Sequence, residues 1–379
     1  MANGRGTRRA SLWFPPGEFS PPYAQLQLPH PLDFDWRFTE STVDGLWRLA
    51  HVLAHETETI ALLGAPSLAK SLEENPNWNG PVLLFDKNAA GFKMVGGLVQ
   101  EIEFDIHNDE PCRSNAALVF ADPPWYEDEL KSFLWCSAAN CRVGGHIAIS
   151  IPPLDTRPGI AQERARIEQI ATECGLQLLR IFPATLRYET PFFEVNAMRA
   201  AGTYRSNNWR PGDLALYRRD GHSLGRRPVL SITEAWTERI FGSSRIRIKK
   251  NWQLRSGSPI LQAIVPGDIL PSVSRRDPRR ARADVWTSGN RVFRCSGTGT
   301  LLQILDALID QKDLERSIAQ HLGQSLSQAE RFRVHLAANQ LLNVVKCESG
   351  EFRAHVSKLR VLRKLEPGSH PAIARKRAG

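Results

Sequence analysis

The chain has 379 residues, 42% of them hydrophobic and 23% charged, and carries a formal net charge of +9. This length allows two or three domains, and the apolar fraction supports a sizeable core and excludes wholesale disorder. No run of about 18 apolar residues exists, which argues against a membrane-spanning helix, and six cysteines without a C-x-x-C pair suggest neither a disulfide framework nor a zinc site.

The charge is unevenly placed. Residues 31–130 hold 18 acidic and 6 basic side chains, whereas residues 205–255 hold 12 basic and 4 acidic ones. An acidic front and a basic back point to a polyanion, such as nucleic acid, docking on the later segments. The sparse cysteines and the lack of an apolar stretch after Arg5, Arg8 and Arg9 lead to the expectation of a cytoplasmic protein with no membrane partner.

Residues 1–32 are rich in proline, which fixes φ and removes donors, so an N-terminal arm is expected there. Trp13, Phe14, Phe19 and Tyr23 are placed to pin it across a domain surface. From Thr39, a helix-capping sequence precedes apolar residues at helical spacing, Val43 to Ala54. Short apolar runs then alternate with helical stretches. The runs are Ile60–Leu63, Val82–Phe85, Val99–Phe104, Ala117–Phe120, His146–Ile149, Leu176–Phe182 and Leu214–Arg218; the helices are placed at 66–75, 127–140 and 160–174. Buried strands alternating with amphipathic helices predict a doubly wound α/β domain over residues 33–220. Residues 221–290 read as a basic connector with some strand, in which 275–282 is a solvated linker. Residues 291–365 read as a small α+β winged-helix-like domain: three helices, then a hairpin over Val344–Arg353 turning at Glu348-Ser349-Gly350. Residues 366–379 form a basic tail.

In a doubly wound sheet the ligand sits beyond the carboxyl ends of the strands, where strand order reverses. Gly64, after the first strand, permits close backbone approach. Asp86, after the second, suits the two hydroxyls of a ribose, and Asp105, after the third, suits an adenine amino group. Gly64, Ala65, Ser67, Asp86 and Asp105 are thus the candidate binding set for a nucleoside-bearing cofactor. The most informative segment is Asp122-Pro123-Pro124-Trp125-Tyr126, after the fourth long run. Methylating an exocyclic amine needs an acceptor for its N–H hydrogens, so that the nitrogen lone pair points at the donor methyl. Asp122 is placed for this, two prolines hold its loop rigid, and Trp125 or Tyr126 offers a ring against which to stack a planar base. These five are the candidate catalytic residues.

Asp122 to Trp125 resembles the D-P-P-[WY] motif of class I S-adenosylmethionine-dependent methyltransferases that act on adenine N6 or related amines. The resemblance implies a Rossmann-like methyltransferase sheet, S-adenosylmethionine beneath the first-strand loop and the acceptor at Asp122. The stretch from His30-Pro31 through Leu53, the Leu63-Gly64 turn, Asp86 and Asp122-Pro123-Pro124 is also similar to branched-chain polyamine synthases, aminopropyltransferases with the same core. Together the two cover roughly residues 30–220 of the chain. The first loop departs from both, because Gly64-Ala65-Pro66-Ser67 has neither a G-x-G pattern nor a carboxylate for a sulfonium cation. A scaffold without catalysis, binding nucleic acid or a protein partner through the C-terminal domain, is the alternative that this departure keeps open. No third ligand accompanies His51 and His55, so no metal is expected. Arg245, Arg247, Lys249 and Lys250 alternate along a predicted strand and are the candidate phosphate contacts.

Overall fold

The computed structural model describes residues 28–74, 76–88, 97–203, 209–221, 224–229, 235–250 and 257–365. Trp13, Phe14, Phe19, Tyr23 and the basic tail at 366–379 lie outside the described residues.

The first unit begins with α1 (Glu40–Leu53), whose Thr39 cap accepts a hydrogen bond from the Thr42 N–H. There follow β1 (Ile60–Leu63), α2 (Pro66–Glu74), β2 (Val82–Asp86), β3 (Val99–Glu103), β4 (Ala116–Ala121), α3 (Glu127–Asn140), β5 (Cys141–Ile151), α4 (Ile160–Glu173), β6 (Leu176–Arg187), α5 (Phe192–Ala200) and β7 (Pro211–Arg219). The seven strands form one sheet in the order β3-β2-β1-β4-β5-β7-β6. β1 to β5 pair in parallel, and β7 runs antiparallel between β5 and β6. Side chains alternate across the sheet, which builds two cores. Ile60 and Leu62 pack under α1 and α2 with Val43, Leu46, Trp47 and Leu72; Ala61 and Leu63 pack under α3 and α4 with Leu130, Leu134 and Ile167. The expected doubly wound α/β fold is therefore met.

Strand order reverses between β1 and β4. Leu63 pairs with Ala121, and the Asp122 N–H donates to the Leu63 carbonyl at 3.0 Å. The residues that follow these two strands, Gly64 and Asp122, consequently emerge side by side.

The second unit holds β8 (Trp236–Phe241), β9 (Ser244–Lys249), β10 (Gln262–Ala263), β11 (Val285–Thr287), β12 (Val292–Arg294), α6 (Thr298–Asp310), α7 (Leu314–Leu322) and α8 (Gln328–Leu365). Its strands form an antiparallel sheet ordered β10-β12-β11-β9-β8. Ile246 and Ile248 of β9 share one core with Val285, Phe293, Leu301, Ile304, Leu341 and Val345. The boundary read at residue 290 thus falls inside one sheet, and the stretch read as a connector supplies four of its five strands.

The hairpin expected at Val344–Arg353 is absent. Those residues lie inside α8, a single helix of 38 residues. The buried positions Val334, Ala337, Ala338, Leu341, Val345, Glu348 and Ser349 recur at helical spacing, and Val356 follows two turns later. Continuous burial of that stripe outweighs the cost of Gly350 in a helix, about 1 kcal/mol. Without the hairpin, the winged-helix reading does not hold. The N-terminus of α8 does follow the capping logic: the Ser327 Oγ accepts from the Glu330 N–H at 3.3 Å, and the Ser327 N–H donates to the Glu330 carboxylate at 2.8 Å.

The two units pack together. Asn196 of α5 donates to the Gly289 carbonyl at 3.0 Å, and Phe192 meets Phe352 edge-on with ring centroids 5.3 Å apart. The end of the arm also crosses to the second sheet. His30 is wholly buried with Nε2 3.3 Å from the Trp286 carbonyl, and burial holds its pKa well below the usual histidine value. Residues 275–282 are not a solvated linker. Asp277 caps a 3-10 turn at Pro278–Arg282, Arg275 pairs with Asp128 (2.9 Å) and Glu129 (3.3 Å), and Arg276 pairs with Glu163 (2.9 Å). Arg275 and Arg276 are paired with carboxylates of the first unit, Arg279 pairs with Asp277 of its own turn at 2.6 Å, and this segment becomes a wall of the site.

Candidate active site

A cavity of about 1290 Å³ opens over the carboxyl ends of β1, β2 and β4. It exceeds the roughly 300–1000 Å³ of a typical small-molecule pocket, so two ligands can lie side by side in it. Gly64, Asp86, Asp105 and all five residues from Asp122 to Tyr126 line it.

Asp122 is held on one side only. Oδ1 accepts from the Ser150 hydroxyl and from the Tyr188 hydroxyl, both at 2.7 Å; the Ser150 Oγ in turn accepts from the Trp125 indole N–H at 3.1 Å. Among the described residues none donates to Oδ2. Enclosure pushes the Asp122 pKa up to about 7, and the two hydroxyls pull against that rise. Burial, and then the Asp122 charge, raise the Tyr188 phenol well above its ordinary value, so it remains a donor. The Pro124 carbonyl accepts from the Tyr126 N–H at 2.7 Å, whereas no described residue donates to the Pro123 carbonyl. Asp122 and Pro123 both line the cavity, and each keeps one acceptor oxygen without a donor among the described residues.

Beside Asp122, at the end of β1, Gly64 takes φ +62°, and its N–H donates to the Phe85 carbonyl at 3.0 Å. A Cβ there would stand 3.1 Å from the Phe133 ring and 3.4 Å from the Asp122 carbonyl oxygen. Gly64→Val should therefore push this loop out of its left-handed turn, at a strain of about 1–2 kcal/mol. The expected result is at least roughly tenfold weaker cofactor binding by calorimetry with an unchanged circular dichroism spectrum; equal affinity would show that the loop does not face the ligand.

Asp86 accepts from the Asn88 N–H at 2.8 Å, and enclosure raises its pKa to about 7, helped by the nearby charges of Asp35 and Asp33. Asp105 is an anchor of its own loop. Partial burial would raise its pKa, but the His107 N–H and the Lys87 ammonium (3.1 Å) hold it below the usual value.

Two candidate cofactor residues are displaced. Ala65 and Ser67 are 2% exposed and face the core, where the Ser67 Oγ accepts from the Phe38 N–H. The strand-to-helix turn rotates them away from the cavity. The carboxylate missing from this loop is supplied by Asp35, which lines the cavity close enough to raise both Asp86 and Asp122, while pairing with Arg37 at 3.1 Å.

The aromatic pair is also more occupied than the sequence implies. Trp125 is 9% exposed, edge-on to Tyr188, with the Arg210 guanidinium over its ring at 4.9 Å. Tyr126 is edge-on to Phe34 and lies under Arg275.

The candidate phosphate contacts divide. Arg245 is 2% exposed and pairs with Asp33 (2.8 Å) and Glu238 (2.9 Å); Arg247 pairs with the same two carboxylates at 2.7 and 2.6 Å. Both are internal cross-links between the arm and the second sheet, because the alternation puts them on its carboxylate-bearing side, so they are corrected as phosphate contacts. Lys249 lies over the Trp236 ring at 5.9 Å, and Lys250 is exposed away from the cavity wall. Ser150, Tyr188, Asp35 and Arg210 are the site residues that spacing alone did not single out.

Residues 35–142 match the model of a family described as probable N6-adenine methyltransferase. No curated protein matches the chain. The branched-chain polyamine synthase from Thermus thermophilus, solved with N4-aminopropylspermidine and 5′-methylthioadenosine, is 17% identical, covering 54% of this chain and 64% of that one with a TM-score of 0.41. A TehB-like S-adenosylmethionine-dependent methyltransferase from Corynebacterium glutamicum is 13% identical, covering 48% and 89% with a TM-score of 0.33. An S-adenosylmethionine-dependent methyltransferase from Methanosarcina mazei is 10% identical, covering 45% and 96% with a TM-score of 0.32. The chain spans less than two thirds of the polyamine synthase. The family match bears out the resemblance to adenine-N6 methyltransferases.

Proposed function

We propose that this chain is an S-adenosylmethionine-dependent N-methyltransferase whose acceptor is adenine N6 in nucleic acid. The observation that carries the reading is the one-sided fixation of Asp122: Oδ1 is locked by Ser150 and Tyr188, no described residue donates to Oδ2, and Asp122 and Pro123 both line the cavity. Two rigid acceptors at that place take the two N–H groups of an amino nitrogen and turn its lone pair into the cavity.

The residues present fit the cofactor. Asp86 offers an enclosed carboxylate to ribose hydroxyls, Gly64 leaves the backbone open to close approach, and Asp35, Asp86 and Asp122 concentrate negative charge where a sulfonium would lie. When bound, S-adenosylmethionine supplies an electrophilic methyl group. Asp122 orients the amine and is placed to take the proton that the nitrogen sheds.

A second reading has one observation in its favour. Among the described residues of the cavity wall, nine are carboxylates and seven are lysine or arginine. That balance suits aminopropyl transfer to a polyamine, the reaction of the second family that the sequence resembles.

The test is calorimetry with S-adenosylmethionine, followed by transfer of a radiolabelled methyl group to adenine-containing DNA and RNA oligonucleotides. Label in N6-methyladenine, lost in Asp122→Ala, supports the proposal. Cofactor binding with no transfer to any oligonucleotide overturns it, and product from spermidine with decarboxylated cofactor would establish the second reading. No binding at millimolar cofactor would identify a scaffold that has lost catalysis.

A further inference from the structure

Arg210 precedes the body of β7 at the cavity wall, and its guanidinium is packed among tryptophans: 4.6 Å from the Trp36 ring centroid, 4.9 Å from Trp125 and 5.9 Å from Trp209. Most cations on this wall have a carboxylate: Lys87 has Asp105 (3.1 Å), Arg157 has Glu163 (2.5 Å), Arg247 has Asp33, Arg275 has Asp128 and Arg276 has Glu163. Arg210 has rings instead. The charge of Glu194 reaches it through space, yet among the described residues no acceptor takes a hydrogen bond from it. Stacking occupies the faces of a guanidinium and leaves its N–H edge available in the plane. Arg210 is half-buried on the cavity wall, so an anion arriving there would gain charge-assisted hydrogen bonds from that edge.

Its position says which ligand that is. Trp125 carries Arg210 on its ring and, through Ser150, supports Asp122, while the Tyr188 ring lies 5.7 Å from Trp125 and its hydroxyl holds Asp122. Arg210 is therefore tied to Asp122 through Trp125, Ser150 and Tyr188 and belongs with the acceptor-orienting group. We infer that Arg210 docks a phosphate of the acceptor nucleotide, using its in-plane N–H edge to set the adenine amine against Asp122. This deepens the proposed function and rests on its adenine-bearing acceptor. It also weighs against a polyamine, whose ammonium groups would meet a guanidinium of the same sign on the cavity wall.

The experiment compares adenosine with adenosine 5′-monophosphate, titrated into the full chain in the presence of S-adenosylhomocysteine, for wild type, Arg210→Gln and Arg210→Lys. The expected result is that wild type binds the monophosphate at least tenfold more tightly than adenosine. In Arg210→Gln that ratio should fall below twofold with adenosine affinity retained, and Arg210→Lys, which keeps charge without the planar fork, should lie between. Thermal melts identify a variant that fails to fold, in which case Arg210→Lys carries the comparison. Equal binding of the two ligands by wild type, or a ratio that survives Arg210→Gln, overturns the inference. Failure of adenine methylation with the ratio intact would remove the proposed reaction and leave the phosphate site; methylation without the ratio would do the reverse.

Discussion

Asp122→Asn should cut transfer at least roughly 10³-fold and yet yield a protein more stable than wild type above neutral pH. The substituted amide can still accept from Ser150 and Tyr188 through its oxygen, so the local network has no reason to collapse. Its NH2 then stands in place of Oδ2 and presents a donor to the amine N–H. One misdirected group in a preorganised electrostatic site costs about 10²–10³-fold in rate, and here an attraction is also replaced by a repulsion, so a fall of at least roughly 10³-fold is expected. The wild-type rate should carry an acid limb near the Asp122 pKa of about 7, since only the carboxylate accepts without offering a proton of its own. The variant's residual rate should lack that limb.

The stability half of this prediction follows from linkage. The folded-state pKa of Asp122 lies above its unfolded value of 3.8, so the native state keeps a proton that the unfolded chain releases. Its stabilisation is complete below pH 4, declines as pH rises through about 7, and is then constant. Removing the titration should leave Asp122→Asn ahead by on the order of 2–4 kcal/mol at pH 8, with little difference at pH 4, once screening by water in the cavity is allowed for. Urea denaturation at both pH values checks this. A variant less stable than wild type at pH 8 would mean that Asp122 is a structural anion, and the catalytic reading would lose its main support.

What the sequence revealed of this site was what lies close to it along the chain. Gly64, Asp86 and Asp122 each follow a short apolar run, and a strand end fixes where the next residue emerges. The partners were illegible because they arrive from elsewhere: Ser150 from β5, Tyr188 from just after β6 and Arg210 from just before β7, at sequence separations of 28, 66 and 88 from Asp122. Arg245 and Arg247 misled for the same reason. Alternation along a strand identifies a face, but only the fold reveals that Asp33, over 200 residues away, lies against it. Glu348-Ser349-Gly350 misled in the opposite direction: a local turn signal was overridden by a burial stripe running along α8.

Asp86→Ala should weaken cofactor binding by about 30–100-fold while changing the rate at saturating cofactor little. Two hydroxyl-to-carboxylate hydrogen bonds contribute roughly 1.5–3 kcal/mol each, and the wild-type carboxylate surrenders part of this because enclosure already disfavours its charge. The ribose is remote from the reacting atoms, so substrate and transition state lose the same contact, and the defect belongs in KM for the cofactor. S-adenosylhomocysteine should lose affinity by the same factor, which separates this role from recognition of the sulfonium. The raised pKa adds a signature that a merely structural aspartate would lack. Free Asp86, with a pKa of about 7, is partly protonated at neutral pH, and only its ionised form accepts from both hydroxyls. Affinity should therefore rise with pH up to and through 7 and then level, with a proton released on binding that appears as a buffer-dependent calorimetric enthalpy. Asp35→Asn should move this titration downward, because the charge of Asp35 helps to raise it, whereas Asp86→Ala should remove it. A pH-independent affinity in wild type would place the ribose on some other residue of the cavity.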